Sequence, residues 1–427
     1  MKNLETTTCK KNDVHANSDL ADFERVLQEK KGAQGLLEEA SALQEELVQW
    51  RRALHQIPET GIQLPQTMAF IKEKLEAMGI AYRAYDDISC ITAEIGSGSR
   101  CFLLRSDMDG LPVKEEAEVP FRSVNGCMHG CGHDMHAAIL LGAARLLKSH
   151  ERELNGTVKL LFQSGEEVFQ GGKAAIAAGV LEHPQVEAAF AMHVIAMLPA
   201  GILMTGKEPM ASVDGFKIVL KGHGGHGSMP ENCIDPINAA VQVYLALQSL
   251  IAREVGGTEE AVLTIGQLAA GEAANVIPEY AVLQGTLRTF KKEVRERLVK
   301  RIRETAEGIA MTYRCQMEYE VLSACPGVVT DDAVTAQAEK SISTLLPQAQ
   351  IIKGAHGMGS EDFAEITDRV PGAYYMIGAG PEDPAKRLGQ HNPKIEFQES
   401  VLSTGAAIYA KMAIDWLEEH TKKECGR

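Results

Sequence analysis

The nine residues from Met128 to His136 read MHGCGHDMH and hold one cysteine, three histidines and one aspartate. Cys131 and His133 are separated by a single glycine, so a flexible loop can turn both side chains to the same side. Thiolate and imidazole are good ligands for zinc and acceptable ligands for manganese or cobalt. The stretch therefore favours a metal site, and the alternative is a buried thiol beside a histidine at the start of a helix.

Polar side chains also follow three predicted strands, at the point where each strand ends. CFLLR leads into Asp107 and Asp109, and TVKLLFQ leads into Glu166 and Glu167. AAFAM leads into His193 in the same way. Because ligands collect beyond the carboxyl ends of the strands in an open parallel sheet, we expect these side chains to meet the MHGCGHDMH loop.

The adjacent carboxylates of Glu166 and Glu167 diverge if their backbone is extended. One can then bind a metal while the other takes a proton from a water that the metal has activated, although a solvated acidic turn is the alternative. His391 lies in the polar loop GQHNPKIEF, and His226 lies in the glycine-rich loop KGHGGHGSMP. Taken alone, either of these histidines is equally consistent with a surface turn.

The composition restricts the class of protein. The chain has 427 residues, enough for roughly two domains of about 150 residues each. Its 58 acidic and 43 basic residues give a net charge of −15 without a long basic run, which argues against nucleic acid or an anionic membrane as partner. The N-terminus lacks the apolar core of a secretory signal, and the nine scattered cysteines form no regular framework, so we expect a cytoplasmic protein.

The apolar pattern predicts an α/β fold. Helical spacing runs from residue 20 to about residue 57, and strands then alternate with helices, which indicates a mostly parallel sheet flanked by helices. A β-α-β-β-α-β order follows, which is typical of a ferredoxin-like α+β domain. The predicted divisions are an N-terminal tail and entry helix at 1–40, a catalytic domain at 41–205 and 322–427, and an inserted lid or dimerisation domain at 206–321.

A run of short motifs resembles one family in both content and order. The motifs are RSDMDGLP, MHGCGHDMH, FQSGEE, AMHV, GHGGHGSMP, NVIP, GTLRTF, MGSEDF and LGQHNP. Together they resemble the dinuclear metallopeptidase family that includes aminoacylase and glutamate carboxypeptidase. Within that family they are most similar to the amidohydrolase subgroup of hippurate hydrolases and indole-acetyl amino-acid hydrolases, and the resemblance spans residues 45 to 420.

The resemblance implies a role for each matching residue. It makes Glu166 the general base and acid, has Asp109 orient the site, and places His226 at the substrate carbonyl, from the lid of the same or a partner subunit. It assigns the amino-acid portion of the substrate to Asn275 and Arg288. It also implies two divalent ions per subunit, zinc or manganese with cobalt as a further option, held by Cys131, His133, Glu167, His193 and His391.

The expected function is metal-dependent hydrolysis of the amide bond of an N-acyl or N-aroyl amino acid, in a homodimer or higher oligomer formed through the lid. A dipeptidase or carboxypeptidase on the same site is the nearest alternative, and a metal-binding relative without catalysis is the alternative from another class. Two departures from the family pattern bear on substrate preference. Glu231 follows Pro230 where many relatives have histidine, and Gly165 precedes the glutamate pair where alanine is commoner.

Overall fold

The structure, a computed structural model, describes residues 31–425. Its helices are α1 (31–42), α2 (Gln44–His55), α3 (Pro65–Ala77), α4 (His133–Ser149), α5 (Gly171–Ala177), α6 (Pro236–Glu254), α7 (Lys292–Thr312), α8 (Asp332–Leu345), α9 (Ala364–Thr367) and α10 (Val401–Cys425). Its strands are β1 (Tyr82–Tyr85), β2 (Cys90–Gly96), β3 (Cys101–Asp107), β4 (Thr157–Gln163), β5 (Ala188–Pro199), β6 (Leu203–Thr205), β7 (Val213–Lys221), β8 (Gly225–His226), β9 (Ala261–Ala270), β10 (Val276–Ile277), β11 (Tyr280–Thr289), β12 (Gln316–Cys325), β13 (Ile351–Lys353) and β14 (Gly372–Gly380).

The larger sheet has the strand order β1-β2-β4-β3-β5-β14-β6-β13. Its centre, β4-β3-β5-β14, is parallel, and antiparallel pairs flank this centre at β2-β4 and β14-β6. The predicted α/β class with a mostly parallel sheet is thus confirmed. The entry helix predicted from residue 20 is present from residue 31 onward, and the part before that lies outside the described residues.

Both faces of this sheet are covered, as the apolar strands require. Side chains alternate along β3, so that Phe102 and Leu104 join one hydrophobic core while Cys101 and Leu103 join the other. The first core also takes in α2, α4 and α10, and the second takes in α5 and α9. Covering both faces leaves the strand ends as the place where polar side chains can gather.

A second sheet with its own core lies between the two parts of the larger one in the chain. Its strand order β12-β7-β11-β9 is fully antiparallel, and α6 and α7 pack on it around residues such as Phe216, Val243 and Leu298. This order is the ferredoxin-like arrangement that the sequence predicts. The domain boundaries stay a prediction, and β12 runs on to Cys325, beyond the predicted end at residue 321.

The apolar stretch 188–204 contains strand β5, followed by a turn at residues 200–201. Within residues 31–425 no helix has the length and apolar character needed to cross a membrane.

Candidate metal centre

The parallel strands bring their carboxyl ends to one crevice, as predicted. β3 ends at Asp107, and β4 leads through Ser164 and Gly165 to the glutamate pair. Helix α4 begins at His133 beside them. The sequence predicted that β5 would end at His193, and this is wrong, because the strand continues to Pro199 along β14.

His193 reaches the crevice for a different reason from the one expected. Strand β3 pairs with β5 only as far as Ala191, so one side of His193 has no neighbouring strand. The His193 Nδ1 lies 2.7 Å from the carbonyl oxygen of Val194 and donates to it. Its Nε2 is left facing Cys131, with 3.4 Å between the ring nitrogen and Sγ. A ring oriented in this way presents its free nitrogen to a metal.

His133 is oriented by a carboxylate in the same manner. Its Nδ1 lies 3.1 Å from Asp109 Oδ1, while its buried Nε2 has no hydrogen-bond partner among the described residues. That Nε2 lies 3.9 Å from Glu167 Oε1, a second buried atom that accepts no hydrogen bond from the described residues. A buried polar atom without a hydrogen bond lowers the stability of the fold by about 1–3 kcal/mol. A bound metal ion would give both atoms a partner.

The loop between Cys131 and His133 depends on Gly132. This residue has a φ of +90°, a left-handed conformation that favours glycine. A Cβ atom there would lie 2.4 Å from the Cγ2 of Val194. The glycine therefore lets the loop pass close to β5 and bring the thiol and the imidazole to the same side, which is the bend that the spacing predicts.

Five groups of neighbouring donor atoms occur among the described residues, and two of these groups share Cys131. Cys131, His133 and His193 form one triad, and Cys131, Glu167 and His391 form the other, with the donor atoms of each triad within 4.8 Å of one another. His391 is the exposed member, its Nε2 lies 3.4 Å from Glu167 Oε1, and its amide donates to the Gly130 carbonyl at 2.9 Å. The five predicted ligands are thus brought together.

Charge also favours cations at this site. Arg105 pairs with Asp107 at 2.8 Å, with Glu361 at 3.0 Å and with Asp362 at 2.7 Å. The site has three further carboxylates, Asp109, Glu166 and Glu167. Among the ion pairs of the described residues, these carboxylates pair only with histidines. Excess negative charge, unpaired donor atoms, a thiol and three imidazoles, two of them oriented by hydrogen bonds, fit two neighbouring divalent ions.

The ionisation of the buried groups follows from this crowding. Burial alone would lower the pKa of His133, but the carboxylates of Asp107 and Asp109 outweigh it and raise the pKa well above its usual range. Burial raises the pKa of Glu166 well above its usual range, and the nearby carboxylates of Glu361 and Glu167 add to the effect. A local excess of carboxylates over positively charged side chains contributes to both shifts.

The sequence did not indicate a role for the buried residues that contact the carboxylates of this cluster, among them Arg105 and His136. Arg105 is buried, and its Nε also donates to the Gln163 side chain. His136 lies beside Asp107 through its Nδ1, and its Nε2 accepts from the Val194 amide at 2.9 Å. An arginine inside the apolar run CFLLR is the one signal that could have pointed to this network, because an isolated charge there needs a buried partner.

The predicted substrate residues are found on β11 and at the two-stranded ribbon β8-β10. His226 and Asn275 are exposed on the two-stranded ribbon β8-β10, where the Gly227 amide donates to the Asn275 carbonyl at 2.8 Å. Arg288 on β11 donates to the Met358 carbonyl at 2.7 Å and to the Ser360 hydroxyl at 3.0 Å, just before Glu361. Among the described residues no hydrogen bond joins His226 or Asn275 to a predicted ligand.

Comparison with known proteins agrees with this fold and site. The family model described as Peptidase family M20/M25/M40 matches residues 103–415. An N-acetylcysteine deacetylase from Bacillus subtilis is 37% identical over 378 residues, covering 87% of this chain and 97% of that protein. IAA-amino acid hydrolase ILR1-like 2 from Arabidopsis thaliana is 36% identical over 384 residues, covering 88% and 86%.

A solved structure supports the same assignment. The Bacillus subtilis YxeP protein, a dinuclear metal binding peptidase from the M20 family, matches with a TM-score of 0.75 and 34% identity over 88% of this chain and 99% of that chain. This chain belongs to the M20/M25/M40 peptidase family, so the resemblance predicted from its motifs is confirmed. It is a hydrolase that acts on amide bonds.

Proposed function

We propose that this protein is a metal-dependent amidohydrolase that cleaves the amide bond of N-acyl or N-aroyl amino acids. The observation that carries the proposal is the pair of donor triads sharing Cys131, with Glu166 beside them. The N-acetylcysteine deacetylase and the IAA-amino acid hydrolase, each similar over most of this chain, support a small N-acyl amino acid as substrate.

The proposed ligands are the five that the sequence singles out, namely Cys131, His133, Glu167, His193 and His391. When bound, two divalent ions would polarise the scissile carbonyl and activate a water molecule. We propose zinc or manganese, and the shared thiol favours zinc because soft ligands select it. Asp109 serves both triads, because its Oδ1 meets His133 while its Oδ2 accepts the Glu167 amide at 3.1 Å.

We assign the proton transfer to Glu166. Its Oε2 lies 3.9 Å from His133 Nε2, so the carboxylate reaches the same space as the donors without belonging to either triad that includes Cys131. It takes a proton from the attacking water and delivers it to the leaving amine. Its buried position, only 6% exposed, keeps bulk water from competing for that proton.

The lid supplies the remaining proposed contacts. The guanidinium of Arg288 suits the free carboxylate of an amino acid, and Asn275 would hold the same portion of the substrate. His226 would donate to the oxyanion that develops on the carbonyl. Because His226 and Asn275 are exposed on the lid ribbon, closure of this lid or the lid of a second subunit has to bring them to the site.

We also propose a homodimer formed through the lid. Strand β9 pairs with β11 and forms one of the two edges of the lid sheet, and it exposes Val262 and Leu268. A long exposed edge strand is normally paired or covered, and a second copy can do this in a symmetric way. Sedimentation equilibrium should find a dimer for the wild type and a monomer for Leu268→Lys, whereas a monomeric wild type would exclude the arrangement.

A substrate panel tests the proposed activity. Metal-free protein is reconstituted with zinc, manganese or cobalt and given N-acetyl amino acids, N-benzoylglycine and dipeptides. We expect hydrolysis of the N-acyl compounds to exceed that of the dipeptides in kcat/KM. A preference for dipeptides would assign the site to a peptidase instead, and inactivity of the metal-loaded protein on every amide would reject the proposal.

The location of the protein stays a prediction. The cytoplasmic assignment depends on the irregular cysteine pattern of the sequence, which is typical of a reducing compartment. A thiolate ligand such as Cys131 would be protected from oxidation there.

A further inference from the structure

His55 lies behind the metal centre and belongs to neither donor triad. It ends helix α2, in the stretch HQIPETG, and is only 4% exposed. Both of its ring nitrogens lie close to carboxylates that come from other parts of the chain. Both ring nitrogens of His55 thus face carboxylate oxygens, and an imidazole that is protonated on both nitrogens can donate to both carboxylates at once.

The first contact leads to the thiol-imidazole loop. His55 Nδ1 lies 2.8 Å from Asp134 Oδ2, and Arg51 Nε lies 2.7 Å from the same oxygen. Asp134 is the residue directly after His133, at the first turn of helix α4. The first turn of α4, which carries His133, is thus held against helix α2 through Asp134.

The second contact leads to the segment that precedes Cys131. His55 Nε2 lies 2.9 Å from Glu115 Oε1, and the other oxygen of Glu115 accepts the Ser123 amide at 2.7 Å. The Ser123 hydroxyl donates to the Cys127 carbonyl, four residues before Cys131. The His55 imidazole is therefore connected to both ends of the loop that carries Cys131. One connection runs through Asp134, after the loop, and the other runs through Glu115 and Ser123 to Cys127, before it.

The same segment also holds the loop that carries His391. The amide of Glu116 donates to the Pro393 carbonyl at 2.7 Å, two residues after His391. The His391 amide in turn donates to the Gly130 carbonyl at 2.9 Å. His391 has a φ of +69°, a conformation that a residue other than glycine keeps only when its surroundings hold it there.

We propose that His55 is a positioning residue that sets the metal affinity of the site, by holding the Cys131-His133 loop and the His391 loop at a fixed separation. The inference rests on the proposed function, since it assumes that these residues are ligands. His55 acts through Asp134 and Glu115 and does not touch the metals or the substrate. An alanine or a leucine at this position has no side-chain donor for either carboxylate.

The test compares His55→Ala with Leu47→Ala, a matched control on the same helix. Leu47 is fully buried and packs near Gly142 of α4, so its truncation lowers thermal stability without touching the Asp134 or Glu115 contacts. Metal affinity is measured by chelator competition with zinc on folded, metal-free protein. Loss of a residue that orients ligands typically weakens metal binding by about 10- to 100-fold, and we expect this for His55→Ala alone.

A conservative variant keeps the test decisive if His55→Ala does not fold. In His55→Asn the side-chain amide can replace Nδ1 at Asp134 but cannot reach Glu115, so an intermediate metal affinity is expected. Unchanged affinity in the His55 variants, or an equal loss in Leu47→Ala, would overturn the proposal. Wild-type protein that binds no zinc or cleaves no amide would instead reject the proposed function, so the two failures are distinguishable.

Discussion

Glu166→Gln should lose nearly all hydrolysis while keeping its metal. The amide side chain has the shape of the carboxylate but cannot accept the proton of the attacking water, and removing a general base lowers kcat by about 10²- to 10⁴-fold. The variant should remain as stable as the wild type or more so. Glu166 has Glu361 and Asp362 within 4.8 Å, and the substitution removes one of these three crowded carboxylates.

The adjacent glutamate provides the control. Glu167→Gln removes a proposed ligand, so it should lose bound metal together with activity. Steady-state kinetics on an N-acetyl amino acid and metal analysis of the same samples separate the two roles. If Glu166→Gln kept wild-type kcat with bound metal unchanged, the proton transfer would have to be assigned to another residue.

Arg105→Met should strongly destabilise the catalytic part of the chain. It leaves three buried carboxylates, Asp107, Glu361 and Asp362, without their guanidinium partner. Removing one side of a buried ion pair costs about 3–5 kcal/mol, because the charge that remains is neither solvated nor paired. We expect a decrease of this size in the free energy of unfolding of the metal-free protein.

Tryptophan fluorescence in urea measures this effect selectively. The only two tryptophans of the chain, Trp50 and Trp416, are both buried in the first core of the larger sheet. Arg295→Met is the control: Arg295 on α7 pairs with Asp214 on β7 of the second sheet, so its loss should leave the fluorescence transition unchanged. A change below about 1 kcal/mol in Arg105→Met would show that the carboxylates do not need this partner.

Much of the site could be predicted because it follows local rules. The carboxyl ends of parallel strands share an edge, which is enough to expect the glutamate pair near Asp109 and the MHGCGHDMH loop. The single glycine between Cys131 and His133 gives the loop its direction, as its φ of +90° shows. The ferredoxin-like order of the inserted sheet is likewise visible in the alternation of apolar patterns.

Long-range pairing could not be predicted in the same way. His55 meets Glu115 and Asp134 across 60 and 79 residues, and no pattern in HQIPETG indicates either partner. The predicted end of β5 at His193 is also wrong, because β5 continues along β14 after the neighbouring strand β3 stops pairing with it. The ribbon β8-β10 on which His226 is exposed pairs residues about 50 positions apart, so it is a long-range pairing of the same kind.

The central claim is that Cys131 is shared by two metal ions, and metal counting tests it most directly. Elemental analysis of purified protein, loaded with zinc and freed of excess by gel filtration, should give two ions per chain in the wild type. His391→Ala affects one triad and should keep about one ion, whereas Cys131→Ala affects both triads and should keep fewer than one. Two ions retained in folded Cys131→Ala, or no ion in the wild type, would contradict the account.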